Sequence, residues 1–207
     1  MAHKSITTVP ILGLLGGIAS GKSLVAGLFE ELGAARLDAD RAGHEVLREP
    51  KVMQQARERW GAGIFDESGQ IVRKRVADIV FGRDEASRQE LAYLEQITHP
   101  RIGEKLRDQA VAAAATGKKL LILDAPVMLK AGWDTMCRWV LLVDAPLSQR
   151  LERARQRGWS QEDFHFREAA QEPLDVKRRR SDFVVDNSGS PEATKRQVER
   201  LWTQLVG

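Results

Sequence analysis

The apolar residues of this chain follow two rhythms. Ile11–Leu15 is a short, nearly solid apolar run closed by Gly16-Gly17, the pattern of a strand buried on both faces that enters a tight turn. Leu24, Val25, Leu28, Phe29 and Leu32 then recur on one helical face, and Gly33 is placed to end that helix. "AARLDAD" supplies a second short strand whose end carries Asp38 and Asp40. From Arg41 to Ala115 the spacing is mostly helical, interrupted by "WGAGIFDESGQ", where Asp66, Ser68 and Gly69 mark a turn. Solid apolar runs resume at Leu120–Leu123, followed by Asp124, and at Trp139–Val143, followed by Asp144. Pro146 to Glu172 is helical in pattern and rich in arginine. "DFVVDNSGSPE" predicts a fifth strand, a turn and a last helix with Ser190 as N-cap and Pro191 in its first turn. Strands alternating with helices predict an α/β fold with a parallel sheet and right-handed crossovers.

Composition narrows the function classes. A chain of 207 residues fits one globular unit able to bury a substantial core. With 43% hydrophobic and 29% charged residues it is neither disordered nor membrane-spanning in composition. The opening "MAHKSITTVP" and the brief, glycine-rich run after it do not form a secretory leader, so a cytoplasmic location is expected. A lone cysteine, Cys137, excludes an internal disulfide framework and a multi-cysteine zinc site. The net charge of +3 is too small for a whole-protein nucleic-acid footprint, although Lys177–Arg180 is a local basic run. Any homo-oligomer is expected to be weak.

Gly16 to Ser23 satisfies G-x-x-x-x-G-K-[ST] and lies between a predicted strand and a predicted helix, the setting that this motif needs. Backbone N–H groups of Gly17, Ile18, Ala19, Ser20, Gly21, Lys22, Ser23 and Leu24 can turn toward phosphate oxygens, with the positive end of the following helix behind them. Lys22 adds a compact charge, and the Ser23 hydroxyl is suited to Mg²⁺. The plainer alternative, a glycine-rich turn with a solvated lysine, does not explain the strand–helix setting. The motif indicates a nucleoside triphosphate and leaves the reaction open.

Further along, the chain resembles the dephospho-CoA kinase family over nearly its whole length. The family's T-G-G-I-G-S-G-K-S-T is matched by "LGGIASGKSL" and its D-A-D by "LDAD". D-G-x-L-D-R is echoed by "ESGQIVR", L-E-x-I-x-H-P by "LEQITHP" and D-x-P-L-L-F-E by "LDAPVMLK". The late Q-x-P...K...A-D-x-V-I-D-N-x-G corresponds to "QEPLDVKRRRSDFVVDNSG". The resemblance implies a P-loop nucleoside triphosphate hydrolase-like three-layer sandwich with a five-stranded parallel sheet. Within one domain it implies a nucleotide-binding core of residues 11–40, 118–145 and 182–207, a helical acceptor-binding insertion of 41–115 and a helical lid of 146–180. The implied reaction is transfer of the γ-phosphoryl group of ATP to the ribose 3′-hydroxyl of dephospho-CoA, with ATP and Mg²⁺ as its requirements.

Candidate residues follow from both readings. Asp40 lies beyond the second strand, at the sheet edge where ligands bind in such folds, and is expected to orient or deprotonate the acceptor hydroxyl. Asp38 either organises water on Mg²⁺ or caps the next helix. Asp124 is read as holding the metal's hydration shell or as a plain turn aspartate. Asp144 is expected to be structural. Arg150, Arg153 and Arg157 share a helical face, and the resemblance makes this region a lid, with Arg153 and Arg157 the arginines expected on phosphate. Asn187 belongs either to the adenine pocket or to an ordinary turn. His99 and Arg73 are assigned to the acceptor region by the family match, against packing and surface alternatives.

Departures from the family pattern are Ala19 for a loop glycine, Leu24 for threonine, Val72 for aspartate, Val127-Met128 for two leucines and Lys130 for glutamate. Ala19 is expected to keep a negative φ. Two rival functions stand beside the first: a kinase of another small acceptor, such as a nucleoside monophosphate or a sugar, and a non-catalytic nucleotide switch or nucleic-acid-bound ATPase using Lys177–Arg180.

Overall fold

A computed structural model describes residues 7–207. The opening residues 1–6, part of the segment read as lacking a leader, lie outside the described residues. The chain divides into two compact units: one formed by the residues up to Leu37 together with Gln109–Gly207, the other by Asp38–Asp108.

The first unit is built on five strands, β1 (Ile11–Gly16), β2 (Ala35–Leu37), β3 (Leu121–Asp124), β4 (Trp139–Asp144) and β5 (Phe183–Asp186). They lie in the order β2-β3-β1-β4-β5 with every pair parallel. The sequence predicts all five; for β1, β3 and β4 the apolar runs do so because burial on both faces leaves no polar alternation, and every residue of β1 is buried, whereas the edge strands β2 and β5 are partly exposed. Helix α1 (Lys22–Glu31) starts at the lysine of the phosphate motif, and Gly33, at φ 106°, turns the chain after it as expected. On one side of the sheet Leu12, Leu14, Leu120, Ile122, Leu141 and Val143 pack with Val25 and Phe29 of α1 and with Val198 of the last helix, Pro191–Val206. Ser190 caps that last helix by accepting from the Ala193 N–H, and Pro191 stands in its first turn, as the sequence predicts.

The arginine-rich stretch after β4 is three helices, Leu147–Gln156, Gln161–Ala169 and Leu174–Arg179. Gly158, at φ 79°, breaks the first from the second, and Ser160 with Asp163 forms a capping box that restarts the chain. Phe164 is fully buried against Ala19 and Ala154, with Ile18, Leu151 and Trp159 around them.

The second unit holds α2 (Ala39–Val46), α3 (Pro50–Trp60), α4 (Arg73–Val80) and most of α5 (Glu85–Ala114). With these, the helices after β4 are α6, α7 and α8, and the last is α9. The expected interruption at "WGAGIFDESGQ" is a 3₁₀ turn, Ala62–Ile64, and a turn closed by an antiparallel bridge between Phe65 and Ile71. Asp66 Oδ1 accepts from the Ser68 and Gln70 N–H groups and Gly69 takes φ 77°, which is why those residue types signalled the turn. Ala56, Ile64, Phe65, Val76 and Val80 form this unit's own core. Helix α5 runs on through Pro100. Among the described residues no helix is long and apolar enough to cross a membrane.

Candidate active site

The loop between β1 and α1 leaves the central strand of the sheet, and the strand itself dictates where the loop sits. Leu14 of β1 faces Asp124 at the end of β3 in register, and Gly16 faces Val143 of β4. Gly21 is the N-cap of α1, in the left-handed region at φ 101° and ψ 21° with no side chain to cap the helix. The first N–H groups of α1 therefore stay free of a side-chain cap and point out of the helix end.

Two further loop features are strained or crowded. A Cβ on Gly21 would lie 2.0 Å from Asn187 Nδ2. Gly21→Ala is thus expected to cost about 2 kcal/mol or more, from left-handed backbone and displaced Asn187 together, on the order of 5 °C in Tm. An unaltered melting curve would remove this account of Gly21. Ala19 has φ 59°, which corrects the expectation of a negative value. Its methyl group, 9% exposed, packs with Ala154 and Phe164, and that burial offsets about 1 kcal/mol of left-handed backbone strain.

Lys22 is half-buried, and desolvation holds its pKa below the ordinary lysine value; Asp124 opposes the shift and Arg157 adds to it. Those two charges are therefore neighbours of the Lys22 ammonium. Ser23 is exposed, and the Leu24 side chain is 43% exposed in the first turn of α1. Ser20 Oγ is buried with no hydrogen-bond partner among the described residues, and a Cβ on Gly16 would come within 2.4 Å of it. An under-solvated cation, an orphaned hydroxyl and a helix N-terminus around a bare loop fit a phosphate chain. Among the described residues no cluster of three or more His, Cys, Asp or Glu side chains is built to cage a metal ion. The Ser23 hydroxyl, exposed at the first turn of α1, is an oxygen donor of the kind that Mg²⁺ accepts.

Several residues take places that the sequence reading did not anticipate. Asn187 is 4% exposed; its Nδ2 donates to Ser20 O at 2.8 Å and its Oδ1 accepts from Thr194 Oγ1 at 2.8 Å. Its side chain ties the phosphate loop to the start of α9, which a plain turn asparagine would not do. Arg153 donates to Ser20 O at 3.2 Å and to Asn187 O at 2.7 Å. Lys177, read only as part of a basic run, is 4% exposed and donates to Gly16 O at 3.1 Å and to Gln171 Oε1 at 2.7 Å. Its one signal in the sequence was the lysine of the late family motif. Arg157, at the C-cap of α6, is exposed. Asp144 pairs with Arg178, in keeping with the structural role expected of it.

Burial pushes the Lys177 pKa down to about 8, with the charges of Lys22 and Arg150 adding to the shift and those of Glu168 and Glu172 opposing it. Between about pH 8 and 10.5 the unfolded chain binds a proton here that the folded chain has released, so stability rises with pH across that window. The penalty is complete below the lower limit. Lys177→Met is expected to flatten this segment of the stability curve in denaturant titrations, and an unchanged slope would assign it elsewhere.

In the second unit Asp38 is the N-cap of α2 and accepts from the Arg41 N–H at 2.8 Å, the capping alternative of its two readings. Asp40 is exposed in the first turn of α2. Arg73 is exposed at the start of α4, and His99 is half-buried within α5.

Comparison with known proteins bears on the whole chain. The family model for dephospho-CoA kinase matches residues 10–192. A dephospho-CoA kinase of Aquifex aeolicus is 38% identical over 196 residues, covering 94% of this chain and 97% of its own. The crystal structure of TT1252 from Thermus thermophilus superposes with a TM-score of 0.76 at 30% identity, over 97% of this chain and 100% of that one. A dephospho-CoA kinase from Campylobacter jejuni, at 20% identity and a TM-score of 0.63 over 97% and 99% of the two chains, shares the fold. A strand–loop–helix phosphate motif in its expected setting, a match along most of the sequence and a well-covered relative above one-third identity lead to one conclusion: this chain belongs to the dephospho-CoA kinase family.

Proposed function

We propose that the protein phosphorylates the ribose 3′-hydroxyl of dephospho-CoA with ATP, giving coenzyme A and ADP, the last step of coenzyme A synthesis. The observation that carries this reading is the loop Gly16–Ser23: a desolvated Lys22 beside the uncapped N-terminus of α1, in a chain of this family.

The residues divide the work. The loop N–H groups from Gly17 to Leu24, apart from the Ser20 N–H that donates to Gly17 O, and the buried Ser20 hydroxyl cradle the phosphates. Lys22 neutralises charge gathering on the transferred group, and an ammonium that water solvates poorly gains most from that partner. Ser23, with Asp124 at the end of β3, would hold Mg²⁺, which would neutralise phosphate charge. Asp40 orients the 3′-hydroxyl and accepts its proton as the oxygen bonds to the γ-phosphorus and the bond to the leaving ADP oxygen breaks. A loose transition state asks little of a base, so positioning is the larger part of that contribution. Arg73 and His99 belong to acceptor binding, and Asp38 shapes the start of α2 next to Asp40. Arg157, exposed and close enough to depress Lys22, closes on phosphate as part of the 146–180 lid. The reducing chemistry of a cytoplasmic location suits the single buried Cys137.

The nucleic-acid alternative meets a physical objection. Lys177 is buried, Arg178 pairs with Asp144, and Arg179 pairs with Asp175 at 2.7 Å, so the basic run is largely neutralised by its own protein. A coupled ADP-release assay with ATP and Mg²⁺ tests the proposal. ADP release is expected to rise only when dephospho-CoA is added. Equal stimulation by a nucleoside monophosphate or a sugar, or none by dephospho-CoA, would overturn it.

A further inference from the structure

The carbonyls of the phosphate loop are held in alternation. Gly16 O accepts from Lys177 Nζ at 3.1 Å, Ile18 O from Arg150 Nη1 at 3.4 Å, and Ser20 O from Arg153 Nη1 at 3.2 Å and Asn187 Nδ2 at 2.8 Å. The carbonyl between the first two, Gly17 O, accepts from the Ser20 N–H within the loop itself. All three cations come from α6 and α8, inside the segment read as a lid. Each is also tied at a second point: Lys177 to Gln171, Arg150 to Glu168, and Arg153 to Asn187 O. Arg150 and Lys177 are 5% and 4% exposed, far too buried to be solvated surface charges.

In a trans peptide the C=O and the following N–H point in opposite directions. Holding the carbonyls of Gly16, Ile18 and Ser20 therefore turns the N–H groups of Gly17, Ala19 and Gly21 away from the holders. We propose that Lys177, Arg150 and Arg153 are positioning residues that splint the loop by its alternate carbonyls and so aim these three N–H groups at a phosphate chain. They act through the backbone and not by touching phosphate, which gives Arg153 a different task from the phosphate contact first expected of it. The proposal also accounts for the left-handed Ala19 and Gly21: both follow a held carbonyl, and the hold keeps a conformation that the free chain would rarely visit. The aim at phosphate rests on the triphosphate reading of the loop; the hold on the carbonyls does not.

Hydrogen exchange of the nucleotide-free protein tests the hold, and ATP titration tests its purpose. In Lys177→Met and in Arg153→Met, the Ser20 amide, which donates to Gly17 O inside the loop, is expected to exchange about tenfold faster, the effect of losing one charge-assisted bond, while β4 amides stay protected. ATP affinity is expected to fall by a similar factor, about tenfold. Arg155→Met, which removes an exposed α6 charge paired with Glu152, is expected to change neither. Unchanged loop exchange overturns the splint, whether ATP affinity is lost, as direct phosphate contact would give, or kept. Arg153 is only half-buried, so its variant decides the matter should Lys177→Met fail to fold. Slow loop exchange in a wild-type protein that binds no ATP would overturn the kinase reading and leave the splint standing.

Discussion

Lys22→Met is expected to lower kcat/KM for ATP by about 10²–10³, the size of effect seen when a preorganised charge or donor is removed from a developing anion. Both constants should suffer, because the lysine meets the phosphates before the transfer and more strongly during it. The depressed pKa of the free lysine sharpens the expectation. Among the described residues Asp124 is the charge that favours this ammonium, and it does not offset the burial, so a bound polyphosphate recovers desolvation cost. Methionine keeps the bulk and removes the charge. A variant retaining turnover within about threefold would show that the loop binds its ligand without the lysine and would remove the central step of the proposed mechanism.

Asp40→Asn should separate binding from chemistry. ATP affinity measured by calorimetry is expected to stay within about twofold, while kcat falls by about 10²–10³, the range of a lost positioning or proton-accepting carboxylate. Asparagine matches the shape and can still hydrogen-bond the hydroxyl, so a residual rate at the upper end of that range would favour orientation over proton transfer. Asp38→Asn is the natural contrast. Asparagine caps helices about as well as aspartate, and Asp38 is a cap in the structure, so that change should cost little stability. Undiminished kcat in Asp40→Asn would take Asp40 out of the reaction.

Much of the fold was legible because burial leaves a one-dimensional trace. Strands β1, β3 and β4, the middle of the sheet, are buried apolar runs, and no amphipathic alternation competes with that reading; the edge strands β2 and β5 are partly exposed and were marked by their short apolar-flanked pattern and the turns after them. Ser190-Pro191 and Gly33 marked helix ends because caps and left-handed turns are satisfied by the residues themselves. The phosphate loop was legible for the same reason: its glycines, lysine and serine are neighbours along the chain, and β1 and α1 are the elements on either side of it. At Ala19 the local rule failed. A missing glycine argued for negative φ, yet the methyl group found a place beside Ala154 and Phe164, from another part of the chain.

The division follows the range of the forces. The strands themselves, the turn chemistry and the phosphate motif are written in contiguous residues, since hydrophobic period, capping and backbone preference all act within a few positions, whereas the order of the strands in the sheet is decided by the fold. The partner a cation chooses is not written there. Lys177 reaches Gly16 across 161 residues and Arg153 reaches Ser20 across 133. In sequence Lys177 belongs to a basic run that looks solvated, Arg153 to an arginine face expected on phosphate, and Asn187 to an adenine pocket or a turn. Folding places loop carbonyls beside them where water is scarce, and a buried donor must take an acceptor that the packing supplies.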